Sequence, residues 1–187
     1  MKDYKDVLAE ILVPEDKIQK RVAELGAEIS RDYSDKPNLL LVCILRGGVM
    51  FMVDLARQIS VPHAMDFMAI SSYGIGGRES DGRVRITMDL TTDIRNWHVL
   101  IVEDIIDSGH TIASVLNLLA TRQPASLNVC TLLDKSERRE EEVPIRYCGF
   151  VIPNKFVFGY GLDLDEYHRN LPFIGVVDLK KYEASDQ

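Results

Sequence analysis

The sequence has no apolar run long enough to cross a membrane. Its longest purely apolar stretch is Leu39–Leu45, whereas a membrane helix needs about 20 such residues. Residues 1–6 also lack the apolar core of a signal peptide. We therefore expect a cytoplasmic protein with no membrane partner.

Cysteines are few, and acidic residues outnumber basic ones by 29 to 22. The three cysteines, Cys43, Cys130 and Cys148, are odd in number, widely spaced and set in apolar stretches, which predicts buried thiols in a reduced compartment. The net charge of −7 disfavours a nucleic-acid partner. An anionic substrate would therefore have to be held by local positive groups and a metal.

The 187 residues contain no internal repeat or low-complexity linker, so we expect one domain spanning residues 1–187. Apolar runs typical of strands alternate with helical periodicity, which predicts an α/β fold with a doubly wound, mostly parallel sheet flanked by helices. The predicted helices are 14–33, 49–59 and one that starts near 112. The predicted strands are 39–45, 63–70, 84–88, 99–102, 127–133, 152–163 and 173–177.

The stretch 99–119 is the most informative. Its apolar strand is followed by two acids, Glu103 and Asp104, which we expect to face the crevice at the carboxyl edge of the sheet. The turn 107–111 then leads into a helix. Ligands of open α/β sheets bind at this edge, so the stretch predicts a ligand site.

The turn 107–111 has the composition of a phosphate cradle. Ser108 and Thr111 carry hydroxyls, Gly109 allows close backbone approach, and a helix start offers free N–H groups. The turn lacks the lysine and the glycine spacing of polyphosphate loops, so a single phosphate fits best. Helix capping would explain any one of these residues, but not the whole ordered string.

A ribose 5-phosphate would match the acids beside this cradle. Its diol can bridge Mg²⁺ or donate hydrogen bonds to Glu103 and Asp104. Asp107, between the diol and the phosphate, would lie beside the reacting carbon. If the acids were only a solvated strand end, no such ligand would be implied.

The string VEDIIDSGHT at 102–111 resembles the phosphoribosyl pyrophosphate (PRPP) signature of type I phosphoribosyltransferases, and specifically that of the hypoxanthine-guanine phosphoribosyltransferases. This resemblance implies that Glu103, Asp104 and the residues of the turn bind PRPP. It also implies Mg²⁺ as cofactor and Asp107 as the general base. His110 is often lysine in relatives and should matter little if only its amide binds phosphate. The predicted PRPP-binding residues of the turn are Asp107, Ser108, Gly109, His110 and Thr111.

A second turn follows the strand 39–45. Arg46, Gly47 and Gly48 supply a cation and exposed N–H groups, as pyrophosphate binding needs, although a tight strand-to-helix turn alone would also explain the glycines. The turn resembles the pyrophosphate loop of the family. The resemblance implies a cis peptide between its first two residues, Leu45 and Arg46, and a second pyrophosphate contact from Arg169.

The segment 71–83 contains four glycines and no periodicity, which predicts either a flap or an inert loop between two strands. Ser72 and Tyr73 resemble the start of the family's catalytic lid. The later residues, 78–81, depart from the family's pattern.

Several residues are assigned to the purine only through the resemblance. Lys135 ends a predicted strand, and the family uses such a lysine on the purine 6-oxo group; by itself it would be read as a surface lysine. Phe156, which by itself would be read as core, would stack on the purine, and Val157 would meet its edge. Asp163 would lie near the base and a second Mg²⁺.

The charged run 136–142 is predicted to be a solvated turn.

The resemblance implies transfer of the phosphoribosyl group from PRPP to hypoxanthine or guanine. It also implies a small hood built from about 1–36 and 151–187, and a homodimer or homotetramer. Two alternatives stay open: a phosphoribosyltransferase for another base such as xanthine, and a PRPP-sensing regulator that binds nucleic acid. The acidic charge and the presence of Asp107 disfavour the regulator.

Overall fold

The fold is built on a six-stranded sheet whose strands are mostly parallel. The computed structural model describes residues 3–72 and 84–184. The strands of this sheet are β2 (Leu39–Leu45), β3 (His63–Ser72), β4 (Val84–Met88), β5 (His98–Ile106), β6 (Ser126–Asp134) and β7 (Ile145–Val151). Their spatial order is β4-β3-β2-β5-β6-β7, with β4 antiparallel at one edge and the other pairs parallel. The predicted α/β class and the mostly parallel sheet are confirmed.

Helices cover both faces of this sheet. These helices are α2 (Glu15–Asp32), α3 (Val49–Gln58) and α4 (His110–Ala120). The short helices α1 (Tyr4–Val7) and α5 (Leu179–Ala184) lie elsewhere, where Val7 and Tyr182 pack with Phe158 in a separate core. The buried stripes of α2 and α3 pack with Leu100 and Val102 on one face, and that of α4 packs with Val99 and Ile101 on the other. Alternate residues of β5 thus enter two separate cores, which is why the segment 99–102 is apolar without a break.

A second, three-stranded sheet is formed by β1 (Leu8–Val13), β9 (Ile174–Val177) and β8 (Val157–Phe158), in that order. Both pairs are antiparallel. The amino-terminal segment contributes β1 to this sheet, whereas α2 packs on the main sheet. The role of residues 1–36 and 151–187 as a hood over a purine stays a prediction.

The predicted strand 152–163 is wrong over most of its length. Only Val157–Phe158 is a strand, and the chain then turns through Gly159, Tyr160 and Gly161, which have φ of 95°, 48° and 101°. Aromatic residues suggested a strand, but positive φ values interrupt an extended chain.

The register of the sheet brings distant turns together. Cys43 of β2 lies beside Val102 of β5, and Ile106 of β5 lies beside Asp134 of β6. The turns that follow these strands therefore meet at one carboxyl edge, as the sequence predicted.

Across residues 3–72 and 84–184, no helix has the length and apolar character needed to cross a membrane.

Candidate active site

A cavity of about 140 Å³ lies where β5 passes into α4. Gly109, with φ of 95°, is the residue immediately before the helix, so the first backbone N–H groups of α4 follow it directly. Because these groups and the helix dipole favour an anion, the turn 107–111 can hold a phosphate, and we call it the phosphate turn. The cavity is lined by Glu103, Ile105, Ile106, Asp107, Ser108, Gly109, Thr111 and Ile112.

The charged run 136–142, which we call the strap, lies on this turn. The backbone N–H groups of Glu140 and Glu141 donate to the carbonyl of Ser108 at 2.9 and 3.0 Å. His110 Nε2 lies 2.8 Å from Glu140 Oε2. A Cβ on Gly109 would stand 2.6 Å from the Glu141 carbonyl oxygen. Six of the seven residues of the strap are exposed, as predicted for a solvated turn, and its backbone also fixes the phosphate turn.

Asp107 is held by two cations. Lys135 Nζ donates to Asp107 Oδ2 at 3.0 Å, and Arg138 Nε lies 3.3 Å from Oδ1. The Lys135 residue is only 6% exposed, so removing this carboxylate would leave a buried side chain without its ion-pair partner. The structure thus brings together two residues that the sequence predicted separately for the sugar carbon and for the purine.

Glu103 and Asp104 are more deeply buried than the sequence predicted. Strand β5 continues to Ile106 because its last residues pair with β6, so both acids lie within the strand. Asp104 is 7% exposed, and Oε2 of Glu103 is buried with no hydrogen-bond partner. Glu103 lines the cavity, as expected of an acid that faces the crevice, whereas Asp104 is buried against Gly47.

Burial raises the pKa values of both acids. Desolvation raises the pKa of Glu103 well above its usual range, and the neighbouring charge of Asp104 adds to the effect. Desolvation also raises the pKa of Asp104, to about 6, against the lowering effect of the Ile105 N–H bond. Two carboxylates that resist ionisation side by side are suited to a bound cation, which would favour their charged forms.

The turn after β2 lies against Asp104. The Leu45–Arg46 peptide bond is cis, as predicted. A Cβ on Gly47 would overlap the carboxylate of Asp104, at 1.6 Å from Oδ2. Glycine at this position therefore lets the backbone touch the acid. Gly48 lies immediately before α3.

Arg169 reaches the same turn from the other side. Its Nη1 donates to the Gly161 carbonyl at 2.8 Å, and its Nη2 lies 2.9 Å from Asp163 Oδ1. A Cβ on Gly161 would lie 2.0 Å from the Gly47 carbonyl oxygen. The turn that carries Asp163 and Arg169 is thus packed on the turn that carries Arg46.

The remaining predicted residues are less closely joined to the site. Phe156 is 49% exposed, whereas Val157 is 6% exposed and pairs with Val176 in the small sheet. Ser72 is the last residue of β3. Tyr73 and the rest of the predicted lid up to residue 83 lie outside the described residues.

Three contacting residues were missed by the sequence interpretation. Arg138 reaches Asp107, Glu140 pairs with His110, and Glu166 accepts hydrogen bonds from Arg46 and Arg169. All three stand in charged surface-like stretches with no periodicity. Nothing in their spacing distinguishes them from solvated charges, since the contacts depend on tertiary structure.

The doubly wound sheet, the phosphate turn after β5 and the cation–glycine turn after β2 together define a phosphoribosyltransferase. The family model of the phosphoribosyl transferase domain matches residues 10–165. The chain is 51% identical over 174 residues to the hypoxanthine phosphoribosyltransferase of Haemophilus influenzae, a match that covers 92% of this chain and 97% of the relative. It is 48% identical over 185 residues to the hypoxanthine-guanine phosphoribosyltransferase of Mycobacterium avium, covering 96% of this chain and 91% of the relative.

A solved structure agrees with these relatives. The crystal structure of a hypoxanthine phosphoribosyltransferase from Staphylococcus aureus superimposes with a TM-score of 0.91 at 45% identity, covering 96% of each chain. The chain therefore belongs to the hypoxanthine phosphoribosyltransferase family of phosphoribosyltransferases.

Proposed function

We propose that the chain transfers the 5-phosphoribosyl group from PRPP to hypoxanthine, and also to guanine, forming a purine nucleotide and pyrophosphate. One observation carries the proposal: the Asp107–Lys135 pair, at 3.0 Å, stands beside the phosphate turn. Placing a base and an amine donor together next to a sugar-phosphate site suits the joining of a purine to a sugar. Membership of the family supports the same reaction.

The phosphate turn would hold the 5-phosphate of PRPP. Residues 108–111 supply backbone N–H groups at the start of α4 and two hydroxyls, and the strap fixes their backbone through the Ser108 carbonyl. Anchoring the phosphate here would put the sugar over Glu103 and Asp104. This arrangement would orient the reacting carbon, and orientation lowers the barrier to reaction more than binding affinity alone does.

The pyrophosphate would lie at the turn after β2. Arg46 offers a guanidinium that is 71% exposed, and Arg169 faces it from the opposite turn. The Gly47 backbone adds an N–H group. These donors would stabilise the charge that develops as pyrophosphate leaves an oxocarbenium-like sugar.

The residues present fit Mg²⁺. Oε2 of Glu103 is buried and unpartnered, and both Glu103 and Asp104 carry raised pKa values, which is unfavourable unless a cation joins them. Among the described residues no cluster of three or more acidic, histidine or cysteine side chains is formed, so substrate oxygens and water would complete the ligand shell. Bound Mg²⁺ would neutralise pyrophosphate charge.

Asp163 is proposed as the further metal-binding acid. Its Oδ1 is paired with Arg169 at 2.9 Å and its Oδ2 accepts from the Glu166 N–H at 3.0 Å. A cation at Asp163 would have to share or replace these partners. The number of metal ions therefore remains part of the proposal.

Asp107 would take the purine imidazole proton as the nitrogen attacks the sugar. Its two oxygens already face Lys135 and Arg138, and these two cations orient the carboxylate that acts as the base. Lys135 would donate to the 6-oxo group of hypoxanthine or guanine. Adenine carries an amino group there and cannot accept that bond. Phe156 and Val157 would complete the purine site.

The decisive experiment measures nucleotide formation spectrophotometrically from PRPP and Mg²⁺ with hypoxanthine, guanine, xanthine or adenine. We expect turnover with hypoxanthine and guanine and rates lower by about 10⁴-fold or more with adenine. Efficient use of adenine would contradict the role of Lys135. Absent turnover together with a salt-sensitive gel shift of RNA or DNA would identify a regulator instead. A homodimer or homotetramer remains a prediction from the family, and a cytoplasmic location remains a prediction from the sequence.

A further inference from the structure

One acid near the proposed pyrophosphate site has no part in the proposed reaction. Glu166 Oε2 accepts a hydrogen bond from Arg46 Nη1 and another, at 3.3 Å, from Arg169 Nη2. A single carboxylate oxygen thus bridges the two side chains that are proposed to bind pyrophosphate. We propose that Glu166 competes with pyrophosphate for Arg46 and Arg169, and so lowers the affinity of the chain for PRPP and for pyrophosphate.

This inference rests on the proposed function, because it takes from that proposal the pyrophosphate role of the two arginines. It adds a residue that determines affinity at the same site. For removal of Glu166 to strengthen binding, Glu166 must occupy the two arginines without being needed to position them.

Arg169 does not need Glu166 to hold its place. Its Nη1 donates to the Gly161 carbonyl at 2.8 Å, and its Nη2 lies 2.9 Å from Asp163 Oδ1. The backbone of the turn is held as well, since the Gly161 N–H donates to the Arg169 carbonyl at 2.8 Å. Removing the Glu166 carboxylate leaves all of these contacts in place.

The competition acts most directly at Arg46. In the described part of the chain, Glu166 is the sole hydrogen-bond and ion-pair partner of the Arg46 side chain. A phosphate oxygen that binds Arg46 must therefore displace the carboxylate or share the guanidinium with it. Both side chains are mostly exposed, at 71% and 64%, so the displaced carboxylate can be solvated at little cost.

The competition has a consequence for product release. Pyrophosphate leaves an enzyme more readily when an internal anion replaces it on the cations it vacates. Glu166 would therefore weaken inhibition by pyrophosphate as well as binding of PRPP. Because exposed ion pairs are individually weak, we expect a change of roughly three-fold rather than several orders of magnitude.

The test compares Glu166→Gln with Asp165→Asn. Both substitutions remove one negative charge from the same turn, and both residues have positive φ, 70° and 53°. Asp165 accepts from the Tyr182 hydroxyl at 2.6 Å and not from Arg46 or Arg169. The control therefore reports the general effect of charge, and the difference between the variants reports the arginine contact.

In each variant, calorimetry measures the dissociation constant of inorganic pyrophosphate with Mg²⁺, and steady-state kinetics measure kcat and the KM values for PRPP and hypoxanthine. In Glu166→Gln we expect the dissociation constant of pyrophosphate and KM for PRPP to fall roughly three-fold while KM for hypoxanthine stays unchanged, and in Asp165→Asn we expect little change. The advantage of Glu166→Gln should shrink between about 0.01 M and 1 M salt, because screening weakens the internal pair. Unchanged or weaker pyrophosphate binding in Glu166→Gln would overturn the inference.

Arg46→Gln separates the inference from the proposed function. Weaker pyrophosphate binding in Arg46→Gln, with no gain in Glu166→Gln, would refute the competition alone. Pyrophosphate binding that is unaffected by Arg46→Gln would refute the proposed site. If both are right, the gain from Glu166→Gln should be smaller in an Arg46→Gln background, since the two residues then no longer interact.

Discussion

At the scale of single residues, the proposed reaction depends most on Asp107. It touches Lys135 at 3.0 Å and lines the cavity of the phosphate turn. We expect Asp107→Asn to lower kcat by roughly 10²-fold or more, because an amide cannot take the purine proton. PRPP affinity should change little, since the backbone N–H groups of the turn remain. Steady-state kinetics and calorimetric titration with PRPP measure the two effects.

A suitable control for this substitution is Asp35→Asn. Asp35 is exposed on the turn that follows α2, on a connection that leads into the amino end of β2. Its substitution removes the same charge without touching the site, so kcat should be unaffected. Normal turnover in Asp107→Asn would remove Asp107 from the role of base, whereas an equal loss in both variants would show a nonspecific charge effect.

Asp104 allows a prediction about stability and pH. Its pKa is about 6 in the folded chain, compared with an ordinary 3.8, so between these pH values the folded chain keeps a proton that the unfolded chain has released. Stability from this group is therefore complete below pH 3.8 and is lost as the pH rises through 6. At pH 8 the cost of the buried charge is about 3 kcal/mol.

Asp104→Asn removes this cost. Without metal or substrate, the variant should be more stable than the native chain at pH 8, and the difference should diminish as the pH falls from about 6 to about 4. The amide oxygen of the substituted side chain can still accept from the Ile105 N–H, a bond that measures 2.9 Å with the carboxylate of Asp104. Urea unfolding in a chelator at several pH values measures the difference. If the variant were less stable than the native chain at pH 8, the ionised carboxylate of Asp104 would not destabilise the folded chain.

At the scale of secondary-structure elements, the sequence predicted what depends on local pattern. The strands β2, β5 and β6, the helices α2 and α4 and the two turns at the carboxyl edge were all predicted, because apolar periodicity and turn residues are properties of neighbouring positions. Strand β7 was missed, since Ile145 and Tyr147 alternate over a short stretch bordered by charges.

The contact between the strap and the phosphate turn could not be predicted, for a different reason. The strap residues 136–142 are charged, and a charged run is normally solvated. Its contact with Ser108 uses backbone N–H groups, which every non-proline residue has. Only the position of β6 beside β5 shows which turn those groups meet. The same applies to Glu166, whose partners lie in another turn.

The contact between the strap and the phosphate turn leads to a prediction for Gly109→Ala. The φ of 95° disfavours alanine, and its Cβ would stand 2.6 Å from the Glu141 carbonyl oxygen. We expect a loss of about 1–3 kcal/mol in the free energy of unfolding. We also expect KM for PRPP to rise by about ten-fold or more, because the N–H groups that follow Gly109 must move.

Gly175→Ala is the matched control. Its Cβ would meet the Leu8 Cδ1 atom at 2.7 Å in the small sheet, far along the chain from the phosphate turn. This variant should lose stability while KM for PRPP stays near the native value. If both variants raise KM equally, the effect of Gly109→Ala comes from general destabilisation and not from the geometry of the turn.

At the scale of the whole molecule, the site is assembled from segments that lie far apart in the sequence. Turns after β2, β5 and β6 meet at one edge of the main sheet, and the turn that carries Arg169 packs on the first of them through Gly161 and Gly47. A ligand that contacts all of these turns binds only the folded chain. Binding must therefore stabilise the entire fold.

This coupling predicts how PRPP changes thermal stability. At a PRPP concentration about 100 times its dissociation constant, the folded chain gains about 2.7 kcal/mol, which corresponds to a rise in Tm of roughly 5–10 °C for a chain of this size. The rise should require Mg²⁺, because the burial of Glu103 and Asp104 as charged groups is offset only when a cation accompanies the sugar. Ribose 5-phosphate, which by the proposal would contact the phosphate turn but not Arg46 or Arg169, should produce a smaller rise. Differential scanning calorimetry with PRPP in Mg²⁺, PRPP in a chelator, and ribose 5-phosphate in Mg²⁺ separates these contributions. An equal rise in Tm in all three would show that the phosphate turn and the turn after β2 do not act on one ligand.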